Sequence, residues 1–92
     1  MKFLSTWSIR PGCVELAVQR FLSEPDPHIP GLTILGRWHK TDGSGGFTLS
    51  ETENSSALFE YAAVWVDLIE VHSSSVIEDA QAGPILAKRF KK

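Results

Sequence analysis

Arg37 and His39 are the residues of this sequence whose types and spacing best suit chemistry. Standing two apart, they project from one face of a strand while Gly36 and Trp38 take the other, so a permanent cation and a titratable imidazole stand together. Glu51 ends the alternating row Phe47, Leu49, Glu51, and a carboxylate at the end of an apolar row needs a partner. Arg37 is its candidate partner if the strand register puts both on one face. Such a pair is either structural or catalytic, since structural ion networks perturb ionisation as active sites do. Arg37 is the only basic side chain between Arg20 and Lys40. An unpaired guanidinium in an apolar, aromatic strand is costly to desolvate, so it should meet Glu51 or an anionic group of a ligand.

Trp7, Trp38 and Trp65 fall on predicted regular elements, where large aromatics fill a small core, a subunit interface or a ligand pocket. With the second strand histidine, His72, the candidate ligand-binding set is Trp7, Arg37, His39, Glu51, Trp65 and His72, and no catalytic residue can be assigned. His39, His72, Asp42 and Glu51 are of the types that hold zinc, iron or manganese, but no pair has the spacing of a metal site. No metal or cofactor is expected. Gly43-Ser44-Gly45-Gly46 resembles a phosphate loop only superficially, because it leads into a strand instead of a helix and lacks the Gly-Lys-Ser/Thr ending. Cys13 begins a helix, whose dipole favours a thiolate, but no general base is identifiable beside it. Asn54-Ser55-Ser56 fits a glycosylation acceptor pattern, and helix capping explains the same residues.

These residues need elements to position them. Lys2 to Ile9 mixes Phe3, Leu4, Thr6, Trp7 and Ile9 with small polar residues, which predicts a strand buried on both faces. Arg10-Pro11-Gly12 breaks it. The stripe Val14, Ala17, Val18, Phe21, Leu22 then predicts a helix, which the prolines of Ser23 to Gly31 end in an extended surface connection. Leu32–His39 and Gly46–Thr52 read as a hairpin around a glycine-rich turn. A second helix opens at Asn54 or Ser55 and carries Leu58, Tyr61, Ala62, Trp65, Val66 and Ile69, with Phe59, Ala63 and Val64 making it apolar nearly all round. Glu70 to Ile77 returns to strand. Glu78 to Lys92 starts acidic and ends basic, as a short helix would, with Gly83-Pro84 expected to interrupt it.

The order β-α-β-β-α-β predicts an α+β, ferredoxin-like fold with one four-stranded antiparallel sheet and both helices on one face. Residues 1–82 form that domain, and residues 83–92 a basic C-terminal tail or short helix. At 92 residues, the chain suits one core and gains stability from a partner. The uncovered sheet face and apolar second helix therefore predict a homodimer with face-to-face sheets, a dimeric α/β barrel. No apolar run approaches a membrane span, the start lacks a signal-peptide pattern, and a single cysteine fits a reducing compartment, so the expected location is cytoplasmic and no membrane partner is expected. Four of the nine basic residues stand in the last five positions, leaving five against eleven acidic ones in residues 1–87. That body would repel phosphates, so no nucleic-acid partner is expected.

Arg10-Pro11-Gly12, Gly36-Arg37-Trp38-His39, Asp42-Gly43-Ser44-Gly45-Gly46-Phe47 and Trp65-Val66-Asp67-Leu68 together resemble an uncharacterised bacterial family, domain-of-unknown-function family 3303, from the first strand to about Ala82. The resemblance implies a dimeric α/β-barrel fold and brings no reaction, ligand or catalytic residue. Three functions follow from the residues. One is a dimeric module binding a small apolar or anionic ligand, with Arg37 or His39 fixing its polar end. Another, by fold analogy, is a cofactor-independent monooxygenase- or isomerase-like enzyme using His39 or His72 as acid–base group. The third is a structural or protein-interaction subunit.

Overall fold

Lys2–Ile9 forms the first strand, β1, and its period of two sorts the sheet: Phe3, Ser5, Trp7 and Ile9 point to one face, Leu4, Thr6 and Ser8 to the other. The computed structural model describes residues 1–23 and 26–90, so Glu24 and Pro25 of the proline-rich connection and Lys91 and Lys92 of the basic tail lie outside the described residues. Along the chain follow α1 (Val14–Ser23), β2 (Thr33–His39), β3 (Gly45–Glu51), α2 (Ser55–Ala63), β4 (Ile69–Val76) and α3 (Asp79–Arg89). The sheet order is β2-β3-β1-β4 with every neighbouring pair antiparallel. This is the ferredoxin-like α+β topology expected from the sequence. No helix among the described residues is long and apolar enough to cross a membrane.

The register is set by close approaches as well as by hydrogen bonds. Trp7 stands opposite Gly46 on one side and Val71 on the other. A Cβ on Gly46 would come within 2.1 Å of the Trp38 carbonyl and 2.5 Å of the Trp7 ring, so only glycine lets the strands and the indole lie this close. The β2–β3 turn is closed by Asp42, whose carboxylate accepts the Ser44 backbone N–H at 3.0 Å and its hydroxyl at 2.7 Å. Gly43 there has φ of 78°, in the left-handed region. Those hydrogen bonds hold the Asp42 carboxyl below its ordinary range. One irregularity interrupts the hairpin: between Ile34 and Gly36 the register shifts by a bulge at Leu35.

Two expected elements change shape. Helix α2 is capped by Asn54, whose side chain accepts the Ser56 N–H at 3.0 Å, but it ends at Ala63 and does not run on to Ile69. Its continuation is a chain of turns held from outside. Arg20 donates to the Val64 carbonyl at 3.0 Å and forms a two-point ion pair with Asp67 at 2.8 and 2.9 Å, while Arg10 Nε donates to the Val66 carbonyl at 3.0 Å. The Arg20 hydrogen bond also holds the Asp67 carboxyl below its ordinary range. Of the expected stripe Ile69 is buried and Val66 exposed, and Ile69 packs with Leu68 and Ala17 into the core that Trp7, Ile9, Cys13, Trp65 and Val71 border.

Helix α3 departs from expectation in the other direction, because Gly83-Pro84 does not interrupt it. Reciprocal hydrogen bonds between Glu78 and Gln81 start the helix, and Glu78 is ion-paired to Lys2 on β1. The helix buries no residue, so water can take the Ala80 carbonyl that Pro84, having no N–H, leaves unpaired. The helix also runs continuously across residues 82 and 83, where the domain was expected to give way to a tail. The molecule measures 54 × 31 × 17 Å, an elongated outline to which this projecting helix contributes.

Two glycines test this account of the packing. Gly46→Ala should lower stability by about 1–3 kcal/mol, the usual cost of overpacking, because a strand carbonyl blocks the new methyl. Gly83→Ala, with open space around its Cβ position and ordinary helical backbone, should raise stability by about 0.5–1 kcal/mol. Urea midpoints of the two variants against wild type measure both; equal midpoints would refute the strand spacing given above.

Candidate functional site

Hydroxyl side chains occupy the middle of the sheet's helix-covered face. Ser5 and Thr48 are directly opposite one another, as are Ser5 and Ser73, and the Ser5 and Ser73 hydroxyls are 2.7 Å apart. Ser50, on the same face, is only 1% exposed, and its hydroxyl has no hydrogen-bond partner among the described residues. These side chains are too short to reach the helices, and a cavity of about 230 Å³ opens between sheet and helices as a result. Its walls are apolar. Trp7, Ile9, Ile69 and Val71 rise from the sheet, Val18 and Phe21 come from α1, and Leu58, Ala62 and Trp65 come from α2 and the turns after it.

The charged groups of the lining stand on β2. The register that runs up from the β2–β3 turn pairs Arg37 with Thr48 and so puts it on the cavity face. Arg37 Nη2 donates to Asp26 Oδ2 at 2.7 Å and to the Tyr61 hydroxyl, and that hydroxyl in turn donates to Asp26 Oδ1 at 2.9 Å. Guanidinium, phenol and carboxylate thus close a ring that joins β2, α2 and the connection after α1. Burial works against the Arg37 charge, yet the Asp26 hydrogen bond and the facing charges outweigh it and raise its pKa. The Tyr61 hydroxyl is pushed up to about 12, first by burial and then by the hydrogen bond to Asp26, with Arg37 opposing. His39 meets the edges of two rings, Trp7 at 5.3 Å and Phe21 at 5.2 Å between centroids, while Arg37 lies 5.9 Å from the Phe21 centroid.

Of the residues singled out from sequence, Trp7, Arg37, His39 and Trp65 line this cavity together. Glu51 and His72 do not. Glu51 stands opposite Lys2 and Thr33 in the row of Phe47 and Leu49, on the face away from the helices, so Arg37 and Glu51 sit on opposite sides of the sheet and do not pair. The hairpin register is the reason, since the turn pairs Arg37 with Thr48, and Thr48 and Glu51, three apart on β3, point to opposite faces. His72 lies opposite Thr6 on that same outer face, exposed, with Nε2 2.9 Å from Glu70 Oε1. Trp38 also faces outward, its ring lying over Gly36.

Sequence reasoning missed Asp26 and Tyr61. Tyr61 was counted among the apolar stripe of α2, yet a tyrosine on a buried stripe has a hydroxyl that must be paired, and that was the available signal. Asp26 carried none, being one acid in an extended surface connection.

A family model described as Domain of unknown function (DUF3303) matches residues 1–90. The chain belongs to this family. The match takes in every element of the fold, including α3. No curated protein and no solved structure matches the chain, so the chemistry of this DUF3303 domain is argued from its own residues.

Two measurements check the ring of Arg37, Asp26 and Tyr61. Tyr61 is the single tyrosine, so an ultraviolet pH titration reads it alone. The folded protein should ionise near 12, against about 10 for free tyrosine. A hydroxyl that holds its proton more tightly when folded stabilises the fold below the free value, and that contribution should fade as pH rises from about 10 towards the folded value. A folded midpoint near 10 would exclude the burial of this hydroxyl. In a double-mutant cycle, Arg37→Met and Asp26→Asn should couple by about 0.5–3 kcal/mol, whereas Arg37→Met and Glu51→Gln should be additive.

Proposed function

We propose that this protein is a small-molecule-binding module whose cavity takes a flat, mostly apolar, uncharged ligand carrying one hydrogen-bonding group such as a phenol or carbonyl. The observation that carries this reading is the combination of an apolar, aromatic wall with a guanidinium already neutralised by its own carboxylate. An anionic ligand would have to compete with Asp26 for the Arg37 guanidinium and give up their 2.7 Å hydrogen bond, a cost that an uncharged ligand avoids. Two further features support it. Trp7, Phe21 and Trp65 offer ring faces and edges to a planar molecule, and the floor supplies hydroxyls, among them Ser50, which gains a hydrogen-bond partner from a ligand if its side chain rotates.

Naphthalene derivatives serve as probes, because burying on the order of 200 Å² of apolar surface at about 25 cal/mol per Å² gives a Kd of about 200 μM. Trp38→Phe removes the outward indole and leaves Trp7 and Trp65, both on the cavity, to report binding by fluorescence. In that background 2-naphthol should quench saturably, and 2-naphthoate should bind roughly tenfold more weakly or worse. Ala62→Phe, which fills the cavity from α2, should abolish the response. Tighter binding of the carboxylate would overturn the preference for an uncharged ligand, and quenching that persists in Ala62→Phe would overturn the cavity as the site.

A further inference from the structure

A single polar row crosses the middle of the cavity floor. Arg37 on β2 stands opposite Thr48 on β3, Thr48 opposite Ser5 on β1, and Ser5 opposite Ser73 on β4, so the row runs in register over every strand of the sheet, with about 4.8 Å from one strand to the next. It is only half joined. Ser5 and Ser73 are hydrogen-bonded at 2.7 Å, whereas Thr48, only 7% exposed, makes no side-chain hydrogen bond among the described residues. A buried hydroxyl without a partner carries a desolvation cost that a bound group relieves. Arg37 is the other open end. It spends both N–H groups of Nη2, one on Asp26 and one on the Tyr61 hydroxyl, and those of Nε and Nη1 meet no acceptor among the described residues. Asp26 already receives a hydrogen at each oxygen, and the Tyr61 hydroxyl both gives and receives one. What this ring has left for a ligand is donors.

We propose that Arg37 and Thr48 form an oxygen subsite: the hydrogen-bonding group of the ligand is an oxygen that accepts from an unused Arg37 N–H and bonds the Thr48 hydroxyl, joining the row from end to end. This rests on the reading of the cavity as a small-molecule site and adds which residues hold the polar group and what that group must be. Arg37 can only donate, so the group must accept. A carbonyl oxygen accepts from both residues. A phenol accepts from Arg37 and donates to Thr48, which passes its own hydrogen on to Ser5. A group that only donates, such as an indole N–H, leaves Arg37 as it was. The neighbouring row suits the rest of such a molecule. Two residues nearer the β2–β3 turn, on the same face, stand His39, Gly46, Trp7 and Val71, so the Trp7 indole lies beside the subsite, about 7 Å along the strand, where the aromatic part of the ligand would rest.

Fluorescence quenching of the full chain in the Trp38→Phe background tests this with naphthalene, 2-naphthol and 2-acetonaphthone, affinities being compared from the initial slopes. The two oxygen-bearing probes should each bind about threefold or more tightly than naphthalene. Thr48→Val, which keeps the shape of the side chain and removes its hydroxyl, should weaken both by about three- to tenfold without weakening naphthalene. The Tyr61 titration should keep its wild-type midpoint in that variant, so that the wall around this hydroxyl is undisturbed and the loss belongs to Thr48. Failure of all three probes to bind would overturn the cavity as a site and the subsite with it. Equal affinity for all three, or a Thr48→Val variant that holds 2-naphthol as tightly as before, would overturn the subsite alone, water then serving Thr48 as well as a ligand oxygen does. A loss seen in Ser50→Ala and not in Thr48→Val would put the oxygen one row away and overturn the assignment to Arg37 and Thr48.

Discussion

Everything in this molecule depends on the antiparallel register of β1 between β3 and β4. That register seats Trp7 against Gly46 and Val71 and lines up Ser5, Thr48 and Ser73. Because side chains alternate at a period of two, the same pairing that turns the indole and the hydroxyls towards the helices turns Leu4, Phe47 and Leu49 away from them. One register therefore creates a face with a cavity and a face without a cover. A slip by one residue would exchange them, and the carbonyl and indole that crowd Gly46 stand against such a slip.

The cavity exists because its floor is made of small side chains. Serine and threonine hydroxyls between two helices leave space that leucine or phenylalanine would fill, and the helices are held off the floor by contacts at its edges. Arg20 and Arg10 fix the turns after α2 from the α1 side, and the ring of Arg37, Asp26 and Tyr61 ties β2 to α2 and to the connection before it. Both devices use arginine, whose planar group offers several donors at once. They differ in setting. Arg20 and Asp67 clasp a loop at the surface, whereas Arg37 is drawn against the cavity, where a charge without its carboxylate would be expensive. Inside that ring the guanidinium in the cavity lining faces its own carboxylate.

The uncovered face and the projecting helix are two consequences of the small size of the domain. Two helices can cover one side of a four-stranded sheet and no more. The third helix, pinned at its first turn and buried nowhere, adds no layer within its own chain.

The strand character of β1, the stripe of α1, the glycine-rich turn and the Asn54 cap were legible in the sequence, because each is set by residues within a few positions of one another, whereas the burial of β1 on both faces that its composition suggested is not met, Leu4, Thr6 and Ser8 being exposed. The strand boundaries and the ferredoxin-like order followed from them. Trp7, Arg37, His39 and Trp65 were recognisable as residues able to line a site for the same local reason, their type and their place on an element. Where Arg37 points, and what it meets, was decided only by the tertiary structure. The register fixed by the hairpin turn paired Arg37 with Thr48, separated it from Glu51 and delivered it to Asp26 and Tyr61, 11 and 24 residues away, while a one-residue bulge at Leu35, invisible in the composition of β2, turned Ile34 to the same face as Arg37. The early end of α2 likewise goes with contacts from outside, Arg20 and Arg10 taking the Val64 and Val66 carbonyls of the turns that follow it. Hydrogen-bonding pattern and periodicity are local properties that a chain carries in its sequence; partners brought together across the fold depend on register, and one inserted residue is enough to change it.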